Sequence, residues 1–136
     1  MARDAFYTTA GYPFTIALDG EFRVYVPDAD MMYQAEDMAW DLLESVLPKD
    51  NEDFIRCEID EATDISDAFL AKGYNVRLKV KFVICVVDHD IDDAYYKAVD
   101  MVESIDLPNE IMLMGTEQTD LIEVGERILV LHGDDT

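Results

Sequence analysis

One run of residues occurs twice, and that echo constrains the fold more than any local propensity, because a repeat means two copies of one supersecondary unit sharing a core. Phe22-Arg23-Val24-Tyr25-Val26-Pro27-Asp28-Ala29-Asp30 leads into a helical run through Ala35, Ala39, Asp41, Glu44 and Ser45 to Leu47-Pro48. It is answered by Phe82-Val83-Ile84-Cys85-Val86-Val87-Asp88-His89-Asp90, then Ala94, Ala98, Asp100, Glu103, Ser104 and Leu107-Pro108, with two one-residue gaps. Beyond the helix, Thr63-Asp64-Ile65 is answered by Thr119-Asp120-Leu121. Upstream, Tyr12, Phe14, Ile16 and Leu18 are answered by Tyr74, Val76, Leu78 and Val80. A single domain over 1–136 with internal repeats of about 1–72 and 73–136 follows, a length at which roughly two-thirds of the unfolded surface is buried on folding.

Apolar periodicity assigns the elements. Phe14, Ile16 and Leu18 alternate before Asp19-Gly20, a type I′ hairpin signal, and Phe22, Val24 and Val26 alternate after it, so a β-hairpin is expected there. Val76, Leu78, Val80, Phe82, Ile84 and Val86 alternate without a turn signal, as one long strand. Ala35, Met38, Ala39, Leu42, Leu43 and Val46 share one helical face over 31–46. Ile91, Ala94, Ala98, Met101, Val102 and Ile105 do so over 91–105. Asp30 and Asp90 stand at the N-cap positions, and Pro48 and Pro108 follow the helix ends. Further strands are expected at 53–59, 110–114 and Ile128–Leu131, with 61–72 as a turn or short helix. The fold class is therefore α+β: two β-α-β (ββαβ) units forming a mainly antiparallel sheet with two helices on one face. The arrangement is ferredoxin-like or a pseudo-twofold duplicate.

Charge narrows the partners. Thirty-one Asp and Glu against ten Lys and Arg leave a formal charge of -21 on a chain that is 50% hydrophobic, so the acids belong to a folded surface. Such a field repels nucleic acid and anionic membranes and attracts basic proteins or cations. Salt adaptation is the other reading of the acidity, and the five Lys and seven Met argue against it. No apolar stretch approaches the ~20 residues of a membrane span. Arg3 and Asp4 open the chain without an apolar signal-peptide core, which leads us to expect a cytoplasmic protein. Cys57 and Cys85 fall in strand-like runs and are expected as buried thiols.

Chemical motifs are sparse. Asp88-His89-Asp90-Ile91-Asp92-Asp93 begins like a calcium loop, but Asp93 and Val99 stand where an EF-hand needs Gly and Glu, so a capped helix start is the better reading. His89 and His132 lack zinc-site spacing. With no phosphate-binding glycine loop and no nucleophile elbow, no catalytic residue, metal ligand or cofactor is assigned. Arg77, Lys79 and Lys81 alternate on one strand face, where pairing with the chain's own acids is preferred to a nucleic-acid stripe.

The outer helix faces carry the candidate contacts. At 100° per residue, Tyr33, Asp37, Trp40 and Glu44 form one stripe, with Glu36 and Asp41 beside it, and Asp92, Tyr96, Asp100 and Glu103 form its counterpart. Exposed aromatics among carboxylates mark a partner-binding face.

In size and composition over its whole length, with no shared motif, the chain resembles the small acidic anti-defence inhibitors encoded by phages, the anti-CRISPR and anti-restriction DNA mimics. The resemblance implies a non-enzymatic inhibitor in the host cytoplasm whose carboxylates stand in for phosphates in the basic groove of a nuclease or effector complex. It implies no direct nucleic-acid contact, and a homodimer is compatible with it. The other reading is a small acidic protein-binding adaptor or regulatory subunit without mimicry.

Overall fold

The computed structural model describes residues 7–48, 53–69, 71–126 and 128–131; Arg3, Asp4 and His132 lie outside them. The element order is β1 (Tyr7–Val26), α1 (Met32–Val46), β2 (Phe54–Asp67), β3 (Tyr74–Asp88), α2 (Ile91–Glu103), β4 (Ile111–Val124) and β5 (Ile128–Leu131). Strand, helix, strand thus occurs twice in succession. The strands form one antiparallel sheet in the order β2-β3-β1-β4, with β5 paired to the start of β1.

The β1–β3 ladder is the spine, running without a register shift from Tyr12 opposite Asp88 to Val26 opposite Tyr74. Even-numbered residues of both strands turn to one face: Phe14, Ile16, Leu18, Phe22, Val24 and Val26 meet Val76, Leu78, Val80, Phe82, Ile84 and Val86. Ala35, Ala39 and Leu43 of α1, with Ala94, Ala98 and Val102 of α2, complete the same buried cluster, so both helices lie on that face. Alanines at the contact let each helix axis approach the sheet closely, and the larger flanking side chains fill the margins. The odd-numbered residues form the opposite, open face.

Four expectations are corrected. Asp19-Gly20 is not a hairpin turn: both residues lie inside the unbroken β1 and pair with Lys81 and Val80. The alternation before and after the dipeptide is in phase, so a straight strand keeps every apolar side chain inward, and Gly20 leaves room for the Phe82 ring. Residues 61–67 are strand, not turn or helix, because β2 and β4 are each 14 residues long. Register shifts at Ile59/Glu61 and Ala62/Asp64, and three more along β4, break the period-two pattern that would have revealed their length. Asp30 does not cap α1; Met31 holds that position without a side-chain bond. Cys57 and Cys85 are half-buried rather than buried, and no disulfide joins them.

Candidate functional site

The two helices owe their different beginnings to their capping residues. At α2 the Asp90 carboxylate accepts the Asp93 N–H at 3.0 Å, and Asp92 and Asp93 occupy the first turn, where the helix dipole favours them. At α1 the Gln34 side chain instead accepts the Asp30 N–H at 2.8 Å, and the first turn holds no acid.

Asp88 closes β3 and is buried. Its carboxylate accepts the His89 N–H at 2.7 Å and pairs with Lys97 Nζ at 3.0 Å; these bonds hold its carboxyl below the ordinary aspartate range, the His89 bond contributing most. Asp88 and Asp90 are thus both engaged by the protein itself, in keeping with a capped helix start rather than a calcium loop.

Charge is unevenly shared between the two sides of the molecule. The segments 27–48 and 88–110, which hold the helices and their flanking turns, contain fourteen carboxylates and one cation, Lys97, which is spent on Asp88. Five of the ten basic residues, Arg23, Arg56, Arg77, Lys79 and Lys81, lie on the open sheet face. There Arg77 meets Glu21 at 3.9 Å, and Lys79 meets Asp60 at 3.7 Å and Glu61 at 3.4 Å. The Glu61 carboxylate raises the Lys79 pKa above its usual value. A depression of about 440 Å³ on this face is lined by Asp19, Glu21, Thr63, Arg77, Lys79 and Glu117 among others, charges that largely answer one another. Pairing with the chain's own acids, as expected for this stripe, is what Arg77 and Lys79 do.

Of the candidate contact residues, Tyr33, Asp37, Asp41 and Glu44 on α1 and Asp92, Tyr96, Asp100 and Glu103 on α2 are exposed, on the side of each helix away from the sheet. Glu36 and Trp40 are only half-exposed, and Trp40 packs against the core. The solvent-facing tryptophan is therefore corrected. Trp40 stands three residues before Leu43, which is buried, and residues three apart are neighbours on a helix surface, so Trp40 lies at the edge of the buried face. Sequence reasoning also missed Met31, Met32 and Phe69, which are among the more exposed large apolar side chains. Met31 and Met32 precede the helical stripe and Phe69 sits in the β2–β3 turn, so periodicity could not mark them.

Among the described residues no helix is long and apolar enough to cross a membrane. No family model, curated protein or solved structure matches the chain.

Proposed function

We propose that the protein is a non-enzymatic acidic inhibitor whose helix layer occupies the basic nucleic-acid groove of a defence nuclease or effector complex. The observation that carries this reading is the excess of carboxylates on the segments that hold the helices: thirteen acids besides the buried Asp88, which takes up the one local cation, Lys97. Duplex DNA presents one charge per ~1.7 Å of axis, and rows of carboxylates on two rigid helices offer a comparable lattice to Lys and Arg side chains. Most cations sit elsewhere, many of them on the open sheet face, so they do not cancel that lattice. We also infer that the order β2-β3-β1-β4, with a helix after β1 and after β3, is a ferredoxin-like plan, and that the sequence echo between the halves records duplication of a β-α-β unit.

The test is inhibition of DNA cleavage across a panel of purified CRISPR effectors and restriction nucleases, each assayed at low and high salt. Competitive inhibition with duplex DNA, weakening as salt rises, is expected for at least one enzyme. Inhibition that is indifferent to salt, or a ternary complex with DNA still bound, would exclude mimicry and favour a regulatory subunit.

A further inference from the structure

The end of the molecule at which β1 passes into α1 is built at odds with stability. Met31 takes the N-cap of α1 with an extended backbone (φ −137°, ψ 154°) and gives no side-chain bond to the helix, whereas Asp90 caps α2 in the usual way. Met31, Met32 and Tyr33 are 54%, 50% and 69% exposed. The turn between β2 and β3 adds Phe69, which is 87% exposed.

These two segments are tied together. Tyr25 Oη donates to the Lys72 carbonyl at 2.7 Å, Tyr74 Oη donates to the Asp30 carbonyl at 3.4 Å, and the Ala68 N–H closes the turn on the Gly73 carbonyl at 3.0 Å. Gly73 has φ +97°, and a side chain there would collide with the Val26 carbonyl and with Pro27. The turn is therefore held against residues 25–30, which places Phe69 at the same end as Met31 to Tyr33. Asp28, Asp30 and Asp67 are exposed around this apolar tip, with Lys72 as the neighbouring cation.

We infer that this tip is the apolar anchor of the partner interface and that it enters a cleft of apolar side chains framed by Lys and Arg on a protein. Large exposed apolar side chains at one end of a molecule are a mark of a binding surface, and the two methionines can adapt to an irregular cleft. The surrounding carboxylates choose the occupant, since they match a basic protein rim and repel an anionic bilayer. The inference rests on the reading that the partner is a basic protein and adds where affinity, as distinct from steering, comes from.

Two fluorescent synthetic peptides serve as probes: an amphipathic helix of Leu and Phe with Lys and Arg, and the same helix with Glu and Asp. Titration is done in low salt and in about 1 M salt, where the Debye length is about 3 Å and long-range attraction to the acidic surface is screened. The full chain should bind the basic peptide, retain measurable binding at high salt, and ignore the acidic one. Met31→Ser, Met32→Ser and Phe69→Ser combined should weaken the high-salt binding at least tenfold while the melting temperature stays at or above that of the wild type, because a serine at position 31 can cap α1. Unaltered binding by a folded triple variant would overturn the inference. So would tip-dependent self-association in sedimentation, or tip-dependent binding to phosphatidylcholine vesicles, because the occupant would then be a second copy or a lipid surface. If no nuclease is inhibited but the triple variant loses the peptide, the mimicry reading falls and the tip stands.

Discussion

Gly20 lies beneath the ring of Phe82: a methyl group on its Cα would stand 2.9 Å from Phe82 Cε2 and 3.2 Å from Phe22 Cε1. The two rings, with centroids 6.2 Å apart, fill the space that a side chain at this inward position would need. Gly20→Ala should therefore destabilise the protein by about 1–3 kcal/mol through overpacking, measured as the shift of a urea unfolding midpoint at constant slope. Gly20→Asn separates the two readings of Asp19-Gly20. A type I′ turn tolerates Asn, but a strand interior under an aromatic ring does not, so an innocuous Gly20→Asn would restore the hairpin.

The helix starts give a paired test. Asp90→Ala removes the acceptor of the Asp93 N–H and should cost about 1 kcal/mol, whereas Asp30→Ala, at a residue that caps nothing, should stay within about 0.5 kcal/mol. Equal losses in thermal unfolding would mean that Asp30 does cap α1.

These contrasts show which features can be read from sequence. The helices are legible because Ala35, Ala39 and Leu43, and Ala94, Ala98 and Val102, repeat at helical spacing whatever surrounds them. β3 is legible because its ladder with β1 has no register shift and its alternation is unbroken. The far halves of β2 and β4 are hidden because each bulge turns the following residues to the other face, and because residues such as Glu58, Glu61 and Asp64 are strand residues by virtue of their neighbours on β3. Of the candidate site, the carboxylate stripes could be placed from helical spacing alone. The apolar tip could not, since it joins segments roughly forty residues apart through Tyr25 and Tyr74.

Asp88 sets an acid limit on stability. Its carboxyl titrates below the ordinary aspartate value in the folded protein, so the unfolded chain takes up the proton more readily. The stabilisation is complete above the ordinary value, near pH 4, and is lost as pH falls through the folded value. The stability gap between wild type and Lys97→Met should be constant from about pH 5 to 8 and shrink below about pH 4. Asp88→Asn should flatten the same acid limb. Parallel pH profiles for wild type and Asp88→Asn would show that the pair carries no linkage.

Trp40 packs against the core at the margin of α1, so Trp40→Ala should cost about 2 kcal/mol, less than a fully buried aromatic because part of the indole stays in water. Its effect on any partner should be small once the folded fraction is taken into account. An unchanged melting temperature would return Trp40 to the contact surface.

Glu44 on α1, and Asp100 and Glu103 on α2, stand in the last turns of their helices, and neither last turn holds a basic residue. Each carboxylate faces the negative end of a helix dipole, an arrangement that costs about 0.3–1 kcal/mol at low salt, and each also feels the other acids of the same layer. Nothing among the described residues requires these charges: the three residues are exposed, and no ion pair among the described residues engages them. Combining Glu44→Gln, Asp100→Asn and Glu103→Gln should therefore raise stability by about 1–2 kcal/mol at low salt. The gain should mostly vanish near 1 M salt, where screening acts within about 3 Å. Urea unfolding at both salt concentrations measures it. Carboxylates kept against stability are the pattern of a surface used for binding. If the triple variant were instead less stable, these acids would be structural, and the helix layer would lose its claim to be the partner face.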